Sequence, residues 1–407
     1  MQLIEGHLPL QPPPGMPQWD IDPYATEILL APLPYYAELR ERGTFVYLPR
    51  YQVITTGRYA QAREIFSDHE RFVSSRGVGL SDFAHEEPWR PPSIVLEVDP
   101  PAHTLTRTVL NRALSPRGLA TMMETFSAAA EALIAGILNH GQFDGVTDLA
   151  EAYPTTVFPQ AVGLAGIDRQ ALVDYGSMVF NALGPDNKLR RDAMVAGADV
   201  VPRIMQQCQR EHLTHDGLGA IIYQAFDSGD ITEAEAGMLV RSLLSAGIDT
   251  TVTAIGNALW CFASFPEQYE KLVADPDLAR AAFEEVLRFT SPVHTFCRTV
   301  AESTEVGGVS IPGDAKIMCV LGAANLDPAQ WPNPEHFDIE RKTTGHLAFG
   351  VGIHACVGQN LARAEGEAVL RALAHQVGRL ELVGEVKWRP NNAVRGLQRL
   401  PLRAYPR

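Results

Sequence analysis

A chain of 407 residues, 46% of them hydrophobic, can bury a large core. Its formal net charge of −14 argues against nucleic acid, which needs a basic face, and no uninterrupted apolar run approaches the roughly 20 residues that span a bilayer. Five cysteines (Cys208, Cys261, Cys297, Cys319 and Cys356) are scattered without paired spacing, which fits a reducing cytoplasm rather than a disulfide framework.

The first 20 residues are proline-rich and lack the basic and apolar blocks of a signal peptide, so an extended strap is expected. Strand-like runs follow at 45–48 and 51–55, with others at 315–320 and 381–383. Pro100-Pro101 opens a helix on which His103 and Arg107 stand four residues apart and share a face. Arg107, Arg112 and Arg117 form a basic cluster in an acidic chain, either ordinary solvated surface or a patch that docks an acidic protein.

Amphipathic helical runs dominate from about 100 to 290, at 121–138, 170–183 and 192–211. The longest candidate starts with the capping box Thr232-Glu233-Ala234-Glu235 and runs towards Phe265, about 50 Å at 1.5 Å per residue. Its middle, 246–253, is poor helix sequence, with Gly247, Asp249 and β-branched residues. A threonine hydroxyl there can bond back to an earlier carbonyl and bend the helix. A bend beside Ala246-Gly247 would open a groove with an acid, Asp249, and an alcohol, Thr250, at its lip; a polar patch on a long helix is the alternative.

Ser242, Ala246 and Asp249 lie within about 40° of one helix face, with Ser242 about 10 Å from Asp249. That suits a small ligand held by one polar end. Arg90, Ser93, Arg241 and Ser242 can converge on an anion, although an arginine before Pro91-Pro92 serves equally well as a solvated loop residue. Glu285 and Arg288, at i and i+3, share a helix face, as do many surface ion pairs of little consequence.

Near the C-terminus, Phe349-Gly350-Val351-Gly352-Ile353-His354-Ala355-Cys356-Val357-Gly358 sets a cysteine on a glycine-rich loop ahead of a helical run. A helix N-terminus favours a thiolate and lowers the thiol pKa. Glycines permit φ > 0 and the close approach of a flat ligand. An isolated free cysteine is most often a buried structural one. Phenylalanine, three glycines and a helix in register point instead to an axial thiolate for haem iron.

The pattern Phe349-x-x-Gly352-x-x-x-Cys356-x-Gly358 resembles the haem-binding signature of the cytochrome P450 family. The resemblance implies a mainly α, single-domain fold over 1–407 with small β-sheets at its edges. It implies haem b (iron protoporphyrin IX) with Cys356 as iron ligand and Ala246, Phe349 and Gly358 among its contacts. His103, Arg107, Arg298 and His354 match positions that hold the haem propionates. Asp249-Thr250 matches the acid–alcohol pair that relays protons for dioxygen cleavage. Glu285-x-x-Arg288 and Pro334-Glu335-His336-Phe337 match two elements of a buried structural network, His336 standing where many members have arginine. Electrons would come from NAD(P)H through a reductase and an iron–sulfur ferredoxin, for which the basic cluster would be the docking patch.

Within the family, residues 241–251 and 291–299, with Arg90-x-x-Ser93, look like a bacterial subgroup that oxidises para-substituted benzoates. That implies a soluble, cytoplasmic monooxygenase removing the methyl of 4-methoxybenzoate as formaldehyde. Ser93 and Ser242 would hold the carboxylate, with Arg90 and Arg241 behind or above it. Val95, Leu96, Phe180, Leu183, Ala246, Val293 and Phe296 would form apolar walls. Leu183 departs from the subgroup's phenylalanine, which changes the pocket near the ring. The rivals are a hydroxylase of larger terpenoid or macrolide substrates, against which the Arg/Ser set speaks, and a haem-thiolate gas sensor, against which Asp249-Thr250 speaks.

Overall fold

The structure, a computed structural model, describes residues 10–88, 91–120, 122–164 and 166–407. From residue 10 the strap runs along the edge of a sheet. The Trp19 N–H donates to the Tyr47 carbonyl at 2.9 Å and the Tyr47 N–H to the Pro17 carbonyl at 2.8 Å. The Tyr47 hydroxyl reaches the Leu10 carbonyl at 2.8 Å. Prolines cannot donate to a ladder, so an edge is where such a strap can pair.

That sheet contains β1 (Val46–Leu48), β2 (Val53–Thr56), β3 (Phe72–Val73), β4 (Thr295–Val300) and β5 (Lys316–Val320), in the order β1-β2-β5-β4-β3. Strand β4 escaped the alternation pattern because it is covered on both faces: Cys297 to Val300 are all buried although Arg298 and Thr299 are polar. A hairpin of β6 (Lys387–Arg389) and β7 (Gly396–Arg399) lies near the C-terminus. The strand expected at 381–383 is the end of a longer one, Val377–Leu382, in a three-stranded sheet with Gln142–Asp144 and Pro401–Pro406.

Helices supply most of the fold. Those that build the site are α1 (Ala102–Ala113), α2 (Met123–His140), α3 (Arg169–Asn181), α4 (Glu233–Gly247), α5 (Asp249–Ser264), α6 (Ala279–Thr290) and α7 (Gln359–Gln376). The helix expected over 192–211 is two, Lys188–Gly197 and Val200–Gln207. Pro202 explains the division, because a proline has no N–H to continue an earlier turn but is tolerated in the first turn of a new helix.

Helix α4 opens with the anticipated capping box. The Thr232 N–H donates to Glu235 Oε2 at 2.7 Å and the Glu235 N–H to Thr232 Oγ1 at 3.3 Å. The long helix then breaks at Ile248. Thr250 Oγ1 donates to the Ala246 carbonyl at 2.6 Å and Thr251 Oγ1 to the Gly247 carbonyl at 2.8 Å, so hydroxyls satisfy backbone acceptors around the break. A Cβ on Gly247 would overlap the Phe158 ring, so glycine is required where the helix is weakest.

By length and mean hydropathy, Glu233–Ser264 could cross a membrane, a property that a search for uninterrupted apolar runs passes over. Here that hydrophobicity is spent on the core: α5 is buried without interruption from Thr251 to Leu259, as expected for a helix apolar on every side.

Glu285 and Arg288 are not a surface pair; both side chains are completely buried. Arg288 Nε and Nη2 donate to the two Glu285 oxygens at 2.7 and 2.8 Å, and Nη1 donates to the Asn325 and Pro334 carbonyls. The expectation for His336 is corrected. Its side chain is exposed, and the second guanidinium on Glu285 is Arg341, 3.2 Å from Oε1. The 332–341 loop wraps Arg341 so that the carbonyls of Pro332, Asn333 and His336 accept from it.

Arg341→Ala is expected to lower stability by roughly 1.5–3 kcal/mol, the range for hydrogen bonds to charged groups. His336→Ala should change it by less than about 0.5 kcal/mol, as for other surface positions. Urea denaturation of both variants checks the assignment, and equal losses would contradict it.

Candidate active site

Cys356 closes the glycine-rich loop: its N–H donates to the Phe349 carbonyl at 2.8 Å, and α7 starts after Gly358 as its N-cap. Gly350 and Gly352 have φ of +65° and +78°. A Cβ on Gly352 would overlap the Phe66 carbonyl, which presses the loop against the helix Tyr59–Ser67. Gly358 differs from expectation, since its φ is −82°. A Cβ there would lie 3.9 Å from Cys356 Sγ, an ordinary van der Waals contact, so no atom of the described residues requires a glycine at this position.

The expected depression of the Cys356 thiol is also reversed. Burial pushes its pKa up, and the Gly358 N–H, Arg107 and Arg363 oppose that only in part. Desolvation disfavours a thiolate more than the helix terminus helps it. A coordinating metal would supply the difference, because a thiol bound to one is deprotonated outright.

Glu284, next to Glu285 on α6, ties the loop down from both sides. Its Oε2 is 2.8 Å from His346 Nε2, and its Oε1 accepts from Arg363 Nε. The Arg363 guanidinium lies 4.6 Å over the Phe349 ring. Burial alone would raise the Glu284 pKa, but His346 and Arg363 hold it at about 2.

His103 on α1 and His354 on the loop meet with ring centroids 4.3 Å apart. Both Nε2 atoms are buried without a hydrogen-bond partner among the described residues. Asp99 Oδ1 is 3.9 Å from His354 Nε2, too far for a hydrogen bond. Burial pushes both imidazoles down, His103 to about 4. Arg298, brought down to about 10 by burial, donates to the neighbouring Cys297 carbonyl and stacks on Phe66. Arg107 donates to Asn111 while its charge is felt at Cys356. Orphaned imidazole nitrogens and a guanidinium without a carboxylate partner among the described residues, beside a loop cysteine, fit the propionates and iron of haem.

At the helix break, Ala246 is exposed and Thr250 half-buried. Asp249 is only 2% exposed, and its Oδ1 accepts from Arg389 Nη2 at 2.6 Å. Oδ2 has no partner among the described residues. Helix α3 presses close here, a Cβ on Gly176 falling 2.7 Å from that of Asp249. Nothing in the sequence pointed to Arg389, which reaches Asp249 from β6 across 140 residues. Glu365 on α7 was missed too. It is fully buried near Thr251, and burial pushes its carboxyl up to about 8.

Of the expected wall residues, Phe180, Leu183 and Val293 pack into one buried cluster with Leu96 and Phe296 against it. The cluster also holds Val78, Ala393 and Val394, for which no sequence signal existed. Val95 instead joins the main core. The end of α3 is clasped to this cluster, Asn392 bonding the Asn181 backbone and side chain at 2.8 and 3.0 Å.

No hydrogen bond or ion pair joins the members of the anion set among the described residues. Arg90 lies outside the described residues. Ser93 Oγ accepts from the Val95 and Leu96 N–H groups, so what it can offer an anion is its proton. Ser242 Oγ donates back to the Met238 carbonyl at 2.8 Å and must turn from the helix to donate elsewhere. Arg241 Nε is buried with no partner among the described residues. The basic cluster is looser than expected, since Arg107 is half-buried and Arg112 is 3.6 Å from Asp230. The Arg117 side chain is outside the described set.

The sequence profile of the cytochrome P450 family matches residues 156–375. The chain is 49% identical to the cytochrome P450 CYP199A2 of Rhodopseudomonas palustris, over 99% of this chain and 98% of that protein. It is 32% identical to the beta-dihydromenaquinone-9 omega-hydroxylase of Mycobacterium tuberculosis, over 95% and 79%. Among solved structures, cytochrome P450 CREJ in complex with (4-ethylphenyl) dihydrogen phosphate matches with a TM-score of 0.83 at 26% identity, covering 95% of this chain and 99% of that one.

Glu365 generates a pH-dependent expectation. Its carboxyl keeps a proton in the folded state up to about pH 8 but loses it near 4.5 when unfolded, so this contribution to stability declines as pH rises through that window. Glu365→Gln should flatten the decline, read from denaturant titrations at pH 5, 7 and 9. Parallel slopes for parent and variant would contradict it.

Proposed function

The chain belongs to the cytochrome P450 family of haem b monooxygenases, and from that premise we propose that it oxidises a small para-substituted aromatic carboxylic acid in the cytoplasm, with 4-methoxybenzoate the leading substrate. Bacterial members generally draw electrons from a ferredoxin and its reductase, and we assign the same source here. Cys356 would hold the iron, and His103, Arg107, Arg298 and His354 the propionates, with Ala246, Phe349 and Gly358 along the haem. When bound, the haem uses dioxygen and two electrons to insert one oxygen atom into a C–H bond.

The chain's own residues handle protons and position. Arg389 ties up Asp249 Oδ1, which leaves Oδ2, without a partner among the described residues, as the oxygen through which a proton would pass. The neighbouring Thr250 hydroxyl, now donating to the Ala246 carbonyl, receives it and passes it on towards the groove. Hydroxylation of a methoxy carbon gives a hemiacetal, which collapses to phenol and formaldehyde. The overall balance is substrate, O2, two electrons and two protons in, and phenol, formaldehyde and water out.

The observation that carries the substrate reading is the small apolar cluster of Phe180, Leu183 and Val293 with Leu96 and Phe296. Pockets for small ligands pair such walls with a few polar groups. Ser93, Ser242 and Arg241, whose Nε has no partner among the described residues, would supply groups suited to a carboxylate. The structurally similar CREJ protein was solved in complex with (4-ethylphenyl) dihydrogen phosphate, which supports an aromatic anion as the ligand. Leu183 in place of phenylalanine widens the space beside the ring.

Titration of the haem spin state with 4-methoxybenzoate and with 4-methoxybenzyl alcohol is expected to show a strong response to the acid alone. Ser93→Ala should weaken that response by about tenfold, the equivalent of one charged hydrogen bond of about 1.4 kcal/mol. Equal responses to acid and alcohol would contradict carboxylate recognition.

A further inference from the structure

We propose that Glu284 is a positioning residue that, by holding Arg363 against Phe349, sets the reduction potential of the haem–thiolate centre. Glu284 spends one oxygen on Arg363 Nε and the other on His346 Nε2, 2.8 Å away. His346 Nδ1 accepts the Ala348 N–H at 3.2 Å, so Nε2 is the nitrogen that donates to Glu284. Glu284 and Arg363 pair one negative charge with one positive charge. Both side chains are less than one-fifth exposed, so solvent screens them only in part.

The pair is oriented with respect to the iron ligand. The guanidinium lies over Phe349, and the carbonyl of Phe349 accepts the Cys356 N–H. Its Nη1 is further fixed by Gln359 Oε1 at 2.8 Å, on the first residue of α7. Arg363 thereby carries its charge on the ring whose own backbone carbonyl holds the Cys356 N–H. Glu284 both places that charge and partly cancels it. One electron added to a ferric centre is favoured by positive and disfavoured by negative potential at the thiolate. The Glu284–Arg363 balance thus tunes that electron's energy, whatever the substrate.

The test is a mediated redox titration of the substrate-free holoenzyme, followed by absorption and with no ferredoxin present. Glu284→Gln keeps an acceptor for Arg363 but removes the negative charge. It is expected to move the ferric–ferrous equilibrium about tenfold towards ferrous, about 59 mV for one electron. Arg363→Gln should move it in the opposite direction, and Arg363→Lys should stay near the parent. Opposite signs are the signature, because mere loosening of the loop would displace both variants the same way. Unchanged potentials, or shifts of one sign, overturn the proposal. If Glu284→Gln fails to take up haem, the two Arg363 variants are read instead: Arg363→Gln should shift towards ferric while Arg363→Lys stays near the parent, and no difference between them overturns the proposal equally. The result is independent of which acid the enzyme oxidises.

Discussion

Two consecutive glutamates on one helix, both carrying charge out of water, are the constraint around which this fold is arranged. Glu285 takes the guanidiniums of Arg288 and Arg341, and Glu284 takes Arg363 and His346. A buried ion is costly unless every oxygen finds a donor. Meeting that demand draws four distant segments to one place: α6 itself, the 332–341 loop, the approach to the cysteine and the first turns of α7. Such a network adds little net stability compared with apolar packing, but it leaves few alternative arrangements. The position of Cys356 follows from it, through Leu347 bonded to Asn325 and Arg363 stacked on Phe349.

The opposite side of the site depends on a defect. Helix α4 should continue into α5, yet Gly247 is forced small by Phe158 and the hydroxyls of Thr250 and Thr251 compete for carbonyls. The surrounding core makes up for the weak helix, α5 being buried on all sides. At that break stand the acid and the alcohol. Asp249 can remain in such a dry place because Arg389 comes from β6 to meet it. The thiolate side is thus held by charge pairing, and the proton-handling side by a packed break with one charge pair of its own.

Local features were legible before the structure was known. The cysteine loop, the capping box, the weak middle of the long helix and the i, i+3 spacing of Glu285 and Arg288 each involve residues close in sequence, with one physical reason apiece. Features that depend on distant partners were not. Arg389 is 140 residues from Asp249, and Arg341 lay just beyond the motif that drew attention to His336. Strand β4 hid because burial on both faces erases alternation. The direction of the Cys356 shift was misjudged because a helix terminus can be read from sequence and the depth of burial cannot. The wall cluster was half legible: Phe180, Leu183 and Val293 were expected, but Val78 and Val394 enter only through tertiary packing.

Cys356 as the iron ligand is the claim on which the account of this site rests, since His103, His354, Arg363 and the helix break take their meaning from it. The direct measurement is the absorption spectrum of the ferrous carbonyl complex of the parent beside Cys356→His. The account predicts a thiolate-type band in the parent and its complete loss in the variant, with haem still bound by the remaining residues. A variant spectrum indistinguishable from the parent would contradict it.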